Sequence, residues 1–294
     1  IIMLFQGSAT ALVTPFHSDF SVNREKFIEL IERQIAGGTQ ALVINGTTGE
    51  ASTLSKQERL ECLTLALQVV NKRIPVIAGT GSNNTADALA ATLEAEQAGA
   101  DGAMLVTPYY NKTSQAGIIA HYTHIADQTK LPLLIYVVPG RTGQQVTVDT
   151  MVELAKHPQI VGLKDATGDI VYMMDILRKV AKPFAVYSGN DDVVLPYMVA
   201  GASGVISTVA NLFPAPMQQL CEAVSQGNME QARKIQYDLL PVIQNVFSEV
   251  NPIGTKGGLN ALGLEVGVPR LPLVSMGKET YQKLATAVAH YTGQ

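Results

Sequence analysis

"IVGLKDAT", residues 160–167, is the stretch on which the fold turns. Its opening residues are apolar, without the polar alternation of a half-exposed strand. That pattern belongs to strands buried on both faces, as in parallel sheets covered by helices. Yet the run ends in Lys164 and Asp165. An ammonium group facing an apolar interior loses its hydration, so a lysine there either reaches water or has its pKa lowered. A strand period of two places Ile160, Gly162 and Lys164 on one face and Val161, Leu163 and Asp165 on the other.

Similar runs recur along the chain: "SATALVTPF" (8–16), "ALVIN" (41–45), "PVIAGT" (75–80), "GAMLVTP" (102–108), "PLLIYVVP" (132–139), "FAVYSG" (184–189) and "GVIST" (204–208). With 160–167 they make eight strands, and almost every gap between them holds a helical pattern. From 23 to 36, for example, Phe27, Leu30, Ile31 and Ile35 share one helix face, and Gly37-Gly38 supplies the stop. This alternation predicts an α/β fold, a closed (β/α)8 TIM barrel over residues 1–227. A doubly wound sheet is the alternative, but no GxGxxG follows the first strand, and "GTGSNN" (79–84) follows the third without the final glycine. From 228 to 294 two further helical patterns, 229–250 and 278–291, flank a Gly/Pro-rich stretch. They read as a C-terminal helical appendix packed on the barrel.

A chain 47% hydrophobic and 16% charged has ample material for a large core, and a net charge of −4 with scattered Lys and Arg asks for neither nucleic acid nor an anionic membrane. Cys62 and Cys221 lie far apart in helical segments, which predicts reduced, buried thiols. No apolar run reaches the ~18–20 residues of a membrane span, and no signal-peptide pattern opens the sequence. A cytoplasmic protein is expected. Ile1 and Ile2 precede Met3 and read as an addition to the native start. His121 and His124 share a helix face without a third ligand in sequence reach, so no metal site is expected.

In such a barrel the C-terminal ends of the strands face the active site. Those ends carry Thr14, "GTTGE" (46–50), Tyr109, Tyr110, Tyr136, Lys164, Ser188, Gly189 and Ile206. A desolvated, partly neutral Lys164 is a nucleophile for a ketone or aldehyde, forming a Schiff base; the plainer reading is a strand-end lysine reaching solvent or Asp165. Parity groups Tyr136 with Leu134 and Val138, so its phenol can share the lumen with Lys164 as a proton carrier, or be an ordinary core tyrosine. Arg141 sits in a loop at the same end, suited to a carboxylate or simply to the surface. The glycines of "GTTGE" permit a tight turn with free N–H groups, and Thr47 and Thr48 add hydroxyls. Glu50 orients that loop.

Taken together, "GSATALVTPF", "NGTTGE", "PVIAGTGSNNTA", "VTPYYNK", "PGRTG", "GLKDATGD", "YSGNDD", "GVIST" and "NPIGTKGGLNALGL" make the chain resemble, nearly end to end, the dihydrodipicolinate synthases among the pyruvate-dependent, lysine-Schiff-base aldolases. The resemblance implies that Lys164 forms an imine with pyruvate, whose carboxylate is held at Thr48 and the adjoining backbone. It implies that Tyr136, Thr47 and Tyr110 relay protons, with Tyr110 entering from a neighbouring subunit of a homotetramer built as a dimer of dimers. It further implies that Arg141 takes the carboxylate of aspartate semialdehyde and that Gly189 and Ile206 line the pyruvate pocket. No external cofactor is implied.

Two departures from the family pattern stand out. Val137 replaces the asparagine or aspartate usual after the strand-five tyrosine, and by parity faces the helices, which predicts a shifted Arg141 loop with its chemistry intact. In the interface pocket where some members bind lysine as a feedback inhibitor, Gly81, Asn83 and Tyr109 match. Lys56 and Arg59 stand where sensitive members tend to have histidines, while Ala51 replaces a serine and Asp87 a glutamate. Two added cations predict weak or absent lysine inhibition. N-acetylneuraminate lyases and 2-keto-3-deoxy sugar-acid aldolases share the lysine, the tyrosine and a similar loop, but "PGRTG" is not expected of them. A non-catalytic keto-acid binder would have no need of the amine and three hydroxyls together.

Overall fold

Eight parallel strands close on themselves in chain order, β1 pairing with both β2 and β8. The computed structural model describes residues 3–293; Ile1 and Ile2, and the reading attached to them, lie outside the described residues. The strands are β1 (Gly7–Ala11), β2 (Ala41–Ile44), β3 (Val76–Gly79), β4 (Gly102–Val106), β5 (Leu133–Val137), β6 (Ile160–Asp165), β7 (Ala185–Ser188) and β8 (Gly204–Ser207). Between and after them run α1 (Arg24–Ala36), α2 (Lys56–Val70), α3 (Thr85–Ala98), α4 (Gln115–Ala126), α5 (Pro139–Thr142), α6 (Val148–Leu154), α7 (Ile170–Lys179), α8 (Val194–Val199), α9 (Pro214–Ser225), α10 (Met229–Val246), α11 (Ile253–Ala261) and α12 (Lys278–Thr292). The expected (β/α)8 barrel is the fold.

Most strands are apolar on both faces because each face has a partner. Leu42, Ile44, Leu133, Ile135 and Val186 point outward into the layer shared with the helices. Ala9, Ala41, Val43, Ile77, Leu134, Tyr136, Tyr187 and Ile206 point inward and fill the lumen. At the N-terminal end Leu4 and Phe5 plug it. Phe5 stacks on Tyr187 with ring centres 4.1 Å apart, and the Tyr187 hydroxyl donates to the Phe5 carbonyl at 2.7 Å. Only the opposite end stays open.

Strand parity needs one correction. Leu133 pairs with Ile160 but Leu134 with Gly162, so Val161 is an extra residue, a β-bulge. Ile160 therefore packs outward and Val161 against the lumen, the reverse of a strict two-residue period, while Gly162, Leu163 and Lys164 keep their expected sides. On α1 the buried positions are Phe27, Leu30, Ile31 and Gln34, with Ile35 only half-buried. Gln34 is accommodated because its amide accepts from the Thr10 and Thr39 hydroxyls and donates to the Ala210 carbonyl, at 2.7–2.8 Å.

The Gly/Pro-rich stretch after α10 is not a simple connection, for it contains α11, buried from Ile253 through Leu259. Glycine disfavours helix, but here it permits contact: a Cβ on Gly254 would lie 1.9 Å from the Val246 carbonyl oxygen, and one on Gly258 2.4 Å from Leu212. Close packing overrides propensity. Cys62 and Cys221 are free and buried on α2 and α9, and burial pushes both thiols up to about 12. Among the described residues no helix is long and apolar enough to cross a membrane.

Candidate active site

Tyr136 and Lys164 are register partners on β5 and β6, so both side chains rise from the same layer of the lumen. The Lys164 ammonium nitrogen lies 4.2 Å from the centre of the Tyr136 ring, and the side chain is buried, 5% exposed. Burial lowers the amine to about 8; the Asp191 carboxylate opposes the shift and the Arg141 guanidinium adds to it. At pH 7 about a tenth of such amines are neutral, against roughly one in three thousand at the ordinary value. Burial pushes the Tyr136 phenol the other way, up to about 12, with Arg141 and the Thr47 hydroxyl offsetting part of the rise. The phenol is thus protonated where it faces the amine.

Thr47 and Thr48 are carried by the loop after β2. Hydrogen bonds from Gly49 N to the Gly46 carbonyl and from Glu50 N to the Thr47 carbonyl, 3.1 and 3.0 Å, fold it tightly. The Thr14 hydroxyl donates to the Gly49 carbonyl at 2.7 Å, which gives that strand-end threonine a supporting part. β3 passes so close that a Cβ on Gly79 would lie 2.2 Å from the Asn45 carbonyl oxygen.

Asn251, just before α11, joins the two sides of the mouth. Its side-chain amide donates to the Thr48 hydroxyl at 2.9 Å, its carbonyl accepts from Arg141 Nη2 at 3.0 Å, and the Thr255 hydroxyl holds its Oδ1 at 2.8 Å. On the other side Asp191 accepts from the Ser207 hydroxyl and from the backbone N–H groups of Thr208 and Val209, the latter two at 3.1 and 3.0 Å. These bonds fix a carboxylate near Lys164, although burial raises its pKa.

A cavity of about 540 Å³ opens from this mouth. Thr47, Tyr136 and Arg141 line its inner end; Ala51, Lys56, Arg59, Gly81, Asp87 and Tyr109 line it toward the outside, between α2 and α3. Asn83 is absent from that wall, and its carbonyl accepts from Asn111 Nδ2 at 2.8 Å. Electrostatics here differ from a reading of Lys56 and Arg59 alone. Glu94 shares the wall and pairs with Lys56 at 2.5 Å, while Arg59 donates to the Ala51 and Leu54 carbonyls at 3.3 and 3.5 Å.

A sequence model of the dihydrodipicolinate synthetase family matches residues 4–291. The chain belongs to the dihydrodipicolinate synthetase family. Among its relatives, the 4-hydroxy-tetrahydrodipicolinate synthase of Exiguobacterium sibiricum is 50% identical over 290 residues, 99% of either chain. A chloride-inhibited dihydrodipicolinate synthase of Acinetobacter baumannii, solved with pyruvate, superposes with a TM-score of 0.95 at 41% identity, covering 98% of this chain and 99% of that one. The Cyanidioschyzon merolae enzyme, solved with lysine bound, gives 0.95 at 37% identity and covers 99% of each chain.

For a member of the dihydrodipicolinate synthetase family, the expected residues divide by position. Lys164, Tyr136, Thr47, Thr48 and Arg141 converge on the mouth, and Ile206 joins Tyr136 and Val138 in the lumen cluster. Val137 packs outward, as its parity requires, and Arg141 still reaches the mouth from α5. Gly189 lies between the ends of β6 and β7, where a Cβ would press on Ala166 at 2.8 Å. Ser188 follows lumen-facing Tyr187, and its hydroxyl turns back to bond the Asn190 backbone. Tyr110 is not brought to this chain's own site: it is 91% exposed on left-handed backbone, φ +69°. Sequence reasoning gave no part to Asn251, Asp191, Glu94 or Lys256. Asn251, Asp191 and Lys256 lie within quoted motifs, but only the closed barrel shows what they touch.

Proposed function

We propose that this protein condenses pyruvate with L-aspartate 4-semialdehyde through a Schiff base on Lys164, giving 4-hydroxy-tetrahydrodipicolinate on the route to lysine and diaminopimelate. One observation carries the reading: a buried amine lowered to about 8, in register with a protonated phenol that lines a cavity together with Arg141 and Thr47. The pyruvate bound in the Acinetobacter baumannii structure supports the choice of keto acid.

The chemistry follows from the placement. Neutral Lys164 attacks the pyruvate carbonyl carbon, the carbonyl oxygen leaves as water, and a protonated imine remains. Thr48 and the neighbouring backbone hold the carboxylate. Tyr136 and Thr47 carry protons to and from the departing oxygen. The imine draws electrons, so the methyl group gives up a proton and becomes an enamine carbon, which adds to the aldehyde of the second substrate. Arg141 holds that substrate's carboxylate. The substrate's amine then attacks the imine carbon, displaces Lys164 and closes the ring.

In this reading residues 1–227 form the catalytic barrel and 228–294 an appendix packed on it, in a cytoplasmic homotetramer built as a dimer of dimers. Tyr110 of each subunit completes the partner's relay. An aromatic side chain left in water on left-handed backbone is an interface knob awaiting its socket. The outer end of the cavity is a regulatory pocket with weak affinity for lysine. Glu94 takes up the charge of Lys56, but Arg59 still faces a ligand ammonium. Inhibition by micromolar lysine would refute that part.

The test of the main reading is a coupled assay. Purified protein with both substrates should feed dihydrodipicolinate reductase and consume NADPH, and Lys164→Ala should abolish the signal. Borohydride trapping of pyruvate without turnover would point to the sugar-acid aldolases instead. Absence of trapping would leave a binding protein.

A further inference from the structure

Glu50 closes the loop that carries Thr47 and Thr48, and it does so on left-handed backbone, φ +57°. Its carboxylate is buried and meets Lys256 of α11 with Oε1 to Nζ at 2.6 Å; the two side chains are 2% and 1% exposed. Glu50 Oε2 accepts from the Arg270 backbone N–H at 2.8 Å. The Lys256 ammonium sits 3.9 Å from the centre of the Phe16 ring, and the Arg270 guanidinium lies 4.5 Å from the same ring. None of these groups takes part in the reaction described above.

A buried ion pair is a poor source of stability, because desolvation of both charges offsets their attraction, yet it fixes geometry where nothing else would. The 46–50 loop has two glycines and little apolar side chain to seat it. α11 and its leading residue grip the loop at two points: Asn251 on the Thr48 hydroxyl and Lys256 on the Glu50 carboxylate. Both contacts come from more than 200 residues away in sequence. We propose that Lys256 is a positioning residue for the keto-acid site, its ion pair with Glu50 holding the 46–50 loop so that Thr47 and Thr48 face Lys164. This deepens the functional reading above and rests on it.

The experiment titrates pyruvate against borohydride trapping, read as adduct mass, in the wild type, Glu50→Gln, Lys256→Met and Lys164→Ala, with circular dichroism and melting to check the fold. In Glu50→Gln and Lys256→Met the pyruvate concentration for half-maximal trapping should rise roughly ten- to hundredfold, as for a site misplaced by about an ångström. At saturating pyruvate one adduct per chain should still form. Adding Thr48→Val to Lys256→Met should cost much less than Thr48→Val costs the wild type, because the hydroxyl is already out of place.

Folded variants with the wild-type pyruvate dependence would overturn the proposal. So would loss of the adduct at saturation, which would mean the pair acts on the amine. If both variants fail to fold, the pair is a folding element and the positioning role falls. A wild type that gives no adduct sinks the functional reading itself.

Discussion

Lys164 and Lys256 are both buried, both lie against an aromatic ring, and in both burial brings the amine down to about 8. Their surroundings differ in what opposes that shift. Lys256 has Glu50 at 2.6 Å, sealed from water, so its charge is answered on the spot. For Lys164 the opposing charge is Asp191, which spends its oxygens on Ser207 and on two backbone N–H groups. The Tyr136 ring against which Lys164 lies lines a cavity of about 540 Å³. A lowered amine therefore does not by itself identify a nucleophile. What separates the two is whether a carboxylate pairs directly with the amine or the amine stands instead against a cavity-lining phenol.

The contrast breaks first on activity. Lys164→Met should lower turnover on the order of a thousandfold or more and abolish borohydride trapping, whereas Lys256→Met should retain trapping at saturating pyruvate. Stability should move the opposite way. Lys256→Met strands the Glu50 carboxylate and should lose about 3–5 kcal/mol in denaturant unfolding. Next in size, Tyr136→Phe should lower turnover roughly a hundredfold while trapping persists, since the phenol moves protons but does not hold the imine.

Lys164→Met should gain about 1–3 kcal/mol, because a buried charge is removed while Asp191 keeps its bonds to Ser207 and to two backbone N–H groups. The sign with pH follows from the depressed amine. Between about 8 and 10.5 the unfolded chain binds the extra proton, so wild-type stability contributed by this group rises across that window. The advantage of Lys164→Met is accordingly full below pH 8 and fades toward 10.5; an advantage that grew with pH would contradict the assignment. The rate of imine formation should climb through a limb near pH 8 for the same reason. In Asp191→Asn that limb should move to lower pH, the smallest of these effects, read from stopped-flow imine formation across pH 6–10.

The strands were legible because burial on both faces writes itself as apolar runs, and Lys164 was legible because it interrupts one. The bulge at Val161 was not, since a single extra residue leaves the run unchanged while reversing the sides of two of its members. Tyr136 and Arg141 followed from parity and loop position. Asn251 and Lys256 lie more than 200 residues from Thr48 and Glu50, beyond any local pattern. Glu94 was hidden differently: a helix-surface glutamate looks like any other until α2 and α3 are seen to share a cavity wall.

The glycines of α11 also bear on the order in which the molecule comes together. Three glycines in nine residues make a segment that does not hold a helix alone, each disfavouring it by about 1 kcal/mol relative to alanine. α11 forms only against a surface already built, the end of α10 and Leu212. A ribosome releasing this chain has by then delivered all eight strands and Lys164. The grip on the 46–50 loop arrives after them, so on the proposed reading a newly made barrel holds its nucleophile before it can hold the keto acid that nucleophile would attack.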